Sequence, residues 1–442
     1  MTTRHFSESN ALKPSRRAFL VASGALAAGA TLAGAPAARG SLETLALNGG
    51  PKAVTLSSSD AAHWPRYDAA DEQAVLELMR APGYDPIDRL EEDWRSFIGV
   101  PHAKAHCNGT SVLASMFFAL NLPPGSEIMV PSYTFFATIV PMRLFGLVPV
   151  FVDINPRTLN FDLEDAKKRL TPRTKAVLPV HWIGLPADID LIGEWCEEKG
   201  LILLEDAAHA HGAKLKDKYM GAWARMGIFS YQMSKPLPAI EGGIGTYQLQ
   251  EDYDRATAFG HYQVPGVPAE SAYAQYNGTG LGLKFRMHPI AAVLARTQLK
   301  HLETRNEAGV RQVRSLNDRL LQLPGLYEQT SGRKDVKRLH YSWNMLFIDE
   351  GEAGVSRERV IAALQAEGVQ ADPLAYRLQH EQPLYRKAEF WDHLPEIPEL
   401  PGSKQANATS VALPYFTEDA PELVEQYVKA FEKVWAHRKE LA

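Results

Sequence analysis

Five short β-rich runs, Glu127 to Val130, Val148 to Asp153, Lys175 to Trp182, Leu201 to Glu205 and Met226 to Tyr231, constrain this chain more than any other feature. They are nearly continuous apolar runs, not alternating ones, so each is expected to be covered on both faces. Between the third and fourth, Asp188 to Lys199 repeats Ile189, Ile192 and Cys196 at helical spacing, which predicts a βαβ unit. The fold class that follows is α/β, a mostly parallel central sheet with helices on both faces. Such sheets bind ligands at the carboxyl ends of their strands. With 442 residues, 45% hydrophobic, the chain can bury a large core and is long enough for more than one domain.

Beyond the sheet, Pro289 to Leu323 carries Ile290, Val293, Leu294, Leu299 and Leu302 at helical spacing. Tyr341 to Ile348 alternates like a strand, and Ser356 to Glu367 and Pro421 to Ala436 read as helices, the last with proline in its first turn. The expected organisation is therefore a large domain over residues 41–306 and a smaller carboxyl-terminal α+β domain over 307–442.

Residues 1–40 differ in character. Ser15-Arg16-Arg17-Ala18-Phe19-Leu20 precedes a weakly apolar Ala/Gly stretch and Ala35-Pro36-Ala37-Ala38, a pattern that resembles a twin-arginine export signal with its processing site. The expected location is periplasmic, or cytoplasmic if the signal is not used; a disordered Ala-rich extension and an uncleaved anchor are the other readings. No later stretch approaches about 18 consecutive apolar residues, so no stable membrane span is expected after processing.

Composition excludes several classes of function. The net charge of −5, from 47 basic and 52 acidic residues without basic clustering, gives no footprint for nucleic acid. Cys107 and Cys196 are too few for a disulfide framework or structural zinc, and His181, His209 and His211 lack further ligands at metal spacing. No metal is expected.

The chemistry concentrates between Glu205 and Lys235. Asp206 follows the apolar Leu201-Ile-Leu-Leu run, and Lys235 follows Ile228-Phe-Ser230-Tyr-Gln-Met-Ser and precedes Glu241-Gly242-Gly243. A carboxylate at one strand end and a lysine past another can address one ligand from two sides, the minimal kit for pyridoxal phosphate (PLP). The lysine would hold the cofactor's aldehyde, and the carboxylate would keep its pyridine nitrogen protonated. Glu205 should point to the other face of the sheet. Asn108-Gly109-Thr110-Ser111 opens a helical run and could cradle a phosphate, or be an ordinary N-cap. Pro131-Ser-Tyr133-Thr-Phe135-Phe136 offers rings for stacking or for the core.

These residues resemble the DegT/DnrJ/EryC1/StrS aminotransferases, PLP enzymes that install amino groups on keto sugars and cyclitols. The likeness runs from Leu45-Ala-Leu-Asn-Gly-Gly-Pro51 to Leu413-Pro-Tyr415 and is most specific in Pro131–Thr138, Glu205–Gly212 and Phe229–Gly243. The resemblance implies the fold of aspartate aminotransferase (type I) and a homodimer with each site completed by the other subunit. It gives Lys235 and Asp206 the catalytic roles, Gly109, Thr110 and Ser230 the phosphate contacts with Ser111 beside them, and Phe135 the stacked ring. His209 stands where glutamine is common, near the cofactor's phenolic oxygen. Lys284 stands where asparagine often reaches the partner's phosphate.

His380 falls in a segment that approaches substrate in relatives, or in a surface loop. Arg286 would hold the donor's carboxylate or pair at the dimer interface. The implied reaction moves an amino group from glutamate or glutamine to a keto sugar or cyclitol. Two alternatives stand beside it: an exported PLP-binding or regulatory protein without turnover, and a sugar dehydratase. Some dehydrating relatives carry histidine in place of Lys235.

Overall fold

The computed structural model describes residues 43–262 and 266–442. The Arg16-Arg17 segment, with the export signal it resembles, lies outside the described residues. Seven strands form the main sheet, in the order His102–His106, Gly243–Tyr247, Met226–Ser230, Ile202–Asp206, Thr174–Val177, Glu127–Pro131 and Val148–Val152. All run parallel except Gly243–Tyr247, which pairs antiparallel with both neighbours. The five apolar runs occupy five adjacent positions. Every residue of Glu127–Pro131 is buried, as a strand covered on both faces requires.

Proline ends the third run early. The expected strand Lys175 to Trp182 closes at Val177, because Pro179 has no N–H to continue the ladder. The chain still touches its neighbour, with His181 N–H donating to the Asp206 carbonyl at 3.2 Å. The strand Gly243–Tyr247 carried no apolar run to reveal it. Glycine is needed there for space: a Cβ on Gly243 would fall 2.7 Å from the Gly109 nitrogen.

Helices cover the sheet as the βαβ pattern requires. Ile189–Lys199 buries Ile189, Ile192, Trp195 and Cys196 and ends at Gly200, whose φ of 65° suits a left-handed cap. Gly109–Leu120 buries ten of its twelve residues. The single long helical segment expected from Pro289 is two helices, Pro289–Leu299 and Leu302–Leu320. Lys300 and His301 donate to Thr297 and Gln298, a tightened turn that breaks the helix between them.

A second sheet joins Leu326–Glu328, Trp343–Ile348 and Ser410–Pro414, all antiparallel. Arg357–Ala366 and Pro421–Ala436 pack on it around Leu346, Ile348, Leu364, Val428 and Phe431. Contacts gather Leu42–Ala442 into one compact unit. For the site, the useful product of this second layer is Tyr341, delivered just before the strand Trp343–Ile348.

Candidate active site

A cavity of about 560 Å³ opens at the carboxyl ends of the central strands, lined by Gly109, Thr110, Phe135, Asp206, His209, Ser230 and Lys235 among others. Seven residues nominated from the sequence thus meet in one place.

Asp206 ends its strand and is 4% exposed. Its Oδ2 accepts from Thr138 Oγ1 at 2.8 Å and its Oδ1 from the Ala208 N–H at 3.1 Å. Burial pushes the carboxyl above its ordinary value, against these two hydrogen bonds and the positive charge of Lys235. A cation at the right place would reverse that balance. Glu205 turns to the opposite face, as the strand's period of two demands, and accepts from the Gly221, Trp223 and Ala224 amides at 2.7–2.8 Å. It pins a loop and leaves the cavity to Asp206.

Lys235 sits in the turn after Met226–Ser230, its carbonyl accepting from Trp64 Nε1 at 3.2 Å. Its Nζ lies 4.8 Å from the centre of the Tyr341 ring. That ring also stacks on His209 at 4.5 Å, while Trp182 leans on His209 from 5.2 Å. His209 is neutral: burial, then Lys235 and His211, hold its pKa well below the usual histidine value. Its Nδ1 is sealed from solvent and has no hydrogen-bond partner in the described residues.

At the other end, Asn108 caps the helix Gly109–Leu120 by accepting from the Ser111 amide at 2.8 Å. The Gly109 and Thr110 amides begin that helix, where donors have no intrahelical carbonyl. Ser230 closes the cradle, so near that a Cβ on Gly109 would fall 3.0 Å from its Cβ. Phe135 borders the cavity with 54% of its surface exposed, its ring 4.4 Å from that of Phe136. A large ring left uncovered at a cavity wall is the kind of apolar surface that a ligand completes.

A family model for the DegT/DnrJ/EryC1/StrS aminotransferases matches residues 66–432. The chain belongs to that family. Solved structures agree with the assignment. The crystal structure of DesI in the presence of its TDP-sugar product is 28% identical, covering 90% of this chain and 97% of its own, with a TM-score of 0.73. That of 3-amino-5-hydroxybenzoic acid synthase is 26% identical, covering 84% and 98%, with a TM-score of 0.71. An aminotransferase from Psychrobacter cryohalolentis, 23% identical over 85% of this chain and 99% of its own, shares the fold with a TM-score of 0.75.

The enzyme is a PLP-dependent aminotransferase, and its cavity fits the cofactor residue by residue. Backbone amides at a helix N-terminus with Ser230 suit the phosphate. The buried Asp206 suits a protonated pyridine nitrogen, and Phe135 suits the ring face. The orphaned Nδ1 of His209 suits a polar substituent on the ring.

Four nominated residues do not line this cavity. Ser111 donates its hydroxyl to Asn108 Oδ1 at 2.9 Å, so the N-cap consumes both its polar groups. Lys284 and Arg286 line a neighbouring cavity of about 850 Å³, with Glu241 on the border of both. Arg286 lies over the Tyr84 ring at 4.0 Å and donates to its hydroxyl at 3.0 Å. His380 is buried behind the site. Its N–H donates to Ser132 Oγ at 3.1 Å, and Ser132 Oγ–H returns a bond to Nδ1 at 2.6 Å. With Gln379 donating to the Ser132 and Thr134 carbonyls, it clamps the loop that carries Phe135.

Sequence reasoning passed over Thr138, Tyr341, Trp182 and Tyr376, all of which line the cavity. Thr138 had a signal: it closes the Pro131–Thr138 stretch. Because its hydrogen goes to Asp206, the 2.8 Å contact between Thr134 and Thr138 must have Thr134 as donor. The result is a directed chain, Thr134 to Thr138 to Asp206. Tyr341 comes from a distant segment and had no local signal.

Proposed function

We propose that the enzyme transfers an amino group from glutamate or glutamine to the ketone of a sugar or cyclitol. The observation that carries this reading is one cavity holding Lys235, Asp206 and an anion cradle together. Bound PLP supplies an electron-poor ring that accepts the electron pair left when a Cα–H bond breaks. The rest of the work falls to the chain. Lys235 Nζ takes the substrate's Cα proton and later returns a proton to the acceptor carbon. Asp206, fixed by hydrogen bonds from Thr138 and Ala208, would hold its negative charge against the ring nitrogen. Gly109, Thr110 and Ser230 would hold the phosphate end, and Trp182, Tyr341 and Tyr376 line the remaining wall of the cavity. Retention of Lys235 favours transfer over dehydration.

Purified protein should show a visible absorbance band that glutamate or glutamine bleaches, with release of one equivalent of the matching oxo acid per site. A stable band that no amino acid donor changes would favour a PLP-binding protein without turnover.

The same proposal makes the enzyme an exported homodimer, supported by the twin-arginine pattern at Arg16-Arg17 and by the resemblance to dimeric relatives. One preparation checks both: the periplasmic fraction should contain the protein at the mass of two chains. Lys at both arginines should hold it in the cytoplasm. A single-chain mass, or a location indifferent to the substitutions, refutes the corresponding part.

A further inference from the structure

Gln232, Ser234 and Tyr341 form a partition. On its far side lies a second cavity of about 570 Å³ that shares these three residues with the cofactor cavity. Trp64 lines it and donates from Nε1 to the Lys235 carbonyl, so the second cavity begins at the lysine's own backbone.

Three side chains on its wall hold unspent hydrogen-bond donors. Arg305 spends one N–H on Gln298 Oε1, has no carboxylate within ion-pair distance among the described residues, and lies 5.8 Å from the Trp64 ring. A guanidinium has five N–H donors, so four remain. Burial holds its pKa below the usual arginine value, with the charges of Asp71 and Asp68 opposing. His340 is 5% exposed, and neither ring nitrogen has a hydrogen-bond partner among the described residues. Burial and the charges of Arg338 and Arg314 keep it neutral, with one N–H to give. The Tyr415 hydroxyl has no hydrogen-bond partner either, and it stands where Gly309 makes room: a Cβ there would lie 1.6 Å away.

Arg66, on the same wall, is already engaged. It pairs with Glu418 at 2.8 Å and donates to Thr417 and to the Asp60 carbonyl. The pairing also neutralises the carboxylate at this cavity. What remains is one half-buried cation and two neutral donors facing a common space. A buried histidine beside a half-buried guanidinium and a half-buried hydroxyl, all with donors to spare, suits an anionic acceptor.

We propose that the second cavity is an oxyanion subsite, holding a carboxylate or phosphate of the molecule whose reacting carbon lies at Lys235. Arg305 supplies the charge, and His340 and Tyr415 complete the hydrogen bonds. Rigid planar donors of this kind match either oxyanion. The inference rests on the aminotransferase reading above, which puts the reacting carbon at Lys235, beside the Tyr341 partition. Two sources share the chemistry: the far carboxylate of a dicarboxylic donor, or a phosphate on the acceptor.

Glutarate and inorganic pyrophosphate, neither able to react, distinguish them when titrated calorimetrically into the full-length, PLP-loaded enzyme. Wild type should bind at least one. Arg305→Met should weaken that probe by about tenfold or more, as loss of a charged hydrogen-bond set does. Arg305→Lys should fall between them, and the visible band should be unchanged in all three. Loss of glutarate places the donor's carboxylate in the subsite; loss of pyrophosphate places the acceptor's phosphate there. His340→Phe keeps the question answerable should Arg305→Met not fold, and should weaken the same probe. The inference is overturned if wild type binds neither probe, or if both variants bind both probes within twofold of wild type. Failure of the aminotransferase reading is seen separately, as a wild-type visible band that is absent or that neither glutamate nor glutamine bleaches.

Discussion

Lys235→Ala is expected to abolish turnover, by on the order of 10⁴-fold or more, because one side chain is both the covalent anchor and the proton carrier. The protein should nevertheless remain folded. The backbone of Lys235 makes the hydrogen bonds that shape its turn, to the Gln232 carbonyl and from Trp64, and alanine keeps both. The side chain contributes a contact with the Tyr341 ring at 4.8 Å, worth about 1 kcal/mol or less. Borohydride reduction followed by peptide mapping should place the cofactor on Lys235 in the wild type and on no peptide in the variant. Small primary amines should restore some activity, since they can carry the proton without the tether. A cofactor mapped to Lys284 would sink the assignment, and an Ala variant that melts far below wild type would show a structural duty for the side chain.

Residues that chemistry requires beside an apolar run were readable from the linear chain. Asp206 ends such a run, Lys235 follows another, and Gly109 and Thr110 begin a helix after a capping asparagine. Each is placed by local structure, and local structure has periodicity and capping signals. What was not readable depends on pairs of segments far apart. The Gly243–Tyr247 strand owes its place to glycines that let Gly109 approach, so space rather than hydrophobicity was selected there. Tyr341 reaches Lys235 only because a second sheet packs behind the first. Ser111 and His380 show the converse. Resemblance sets Ser111 beside the phosphate contacts and offers His380 to substrate or to a surface loop, whereas a helix cap engages the first and Ser132 the second. Competition among hydrogen-bond partners is a tertiary fact.

Asp206→Asn should cut turnover on the order of 10²- to 10³-fold while making the cofactor-free protein more stable at neutral pH, and the two effects have one cause. Asp206 is buried with only two donors on its oxygens, and its folded pKa lies above the unfolded value because burial outweighs them. For a raised carboxyl the sign is unfavourable. Below the unfolded pKa both states are neutral and the group costs nothing. As pH rises through the unfolded and then the folded value, the unfolded chain ionises more readily, and stability is lost. At neutral pH the empty protein therefore carries a cost for burying this group, and the uncharged asparagine removes it while keeping one of the two hydrogen bonds. The melting temperature of cofactor-free Asp206→Asn should exceed that of cofactor-free wild type at pH 7, with the gap closing as pH falls below the carboxylate range.

Loading PLP should reverse the order, since a protonated ring nitrogen gives the buried charge its partner, and only the aspartate can keep that nitrogen protonated. Loss of one preorganised charge of this kind accounts for the fall in rate. Thr138→Val supplies the graded case. It deletes the donor to Oδ2 at 2.8 Å and leaves the Ala208 amide, so the carboxyl should rise further and turnover should drop about tenfold, with Thr138→Ser retaining most of it. Should cofactor-free Asp206→Asn prove less stable than wild type at pH 7, the carboxylate would be serving the fold rather than waiting for a cation.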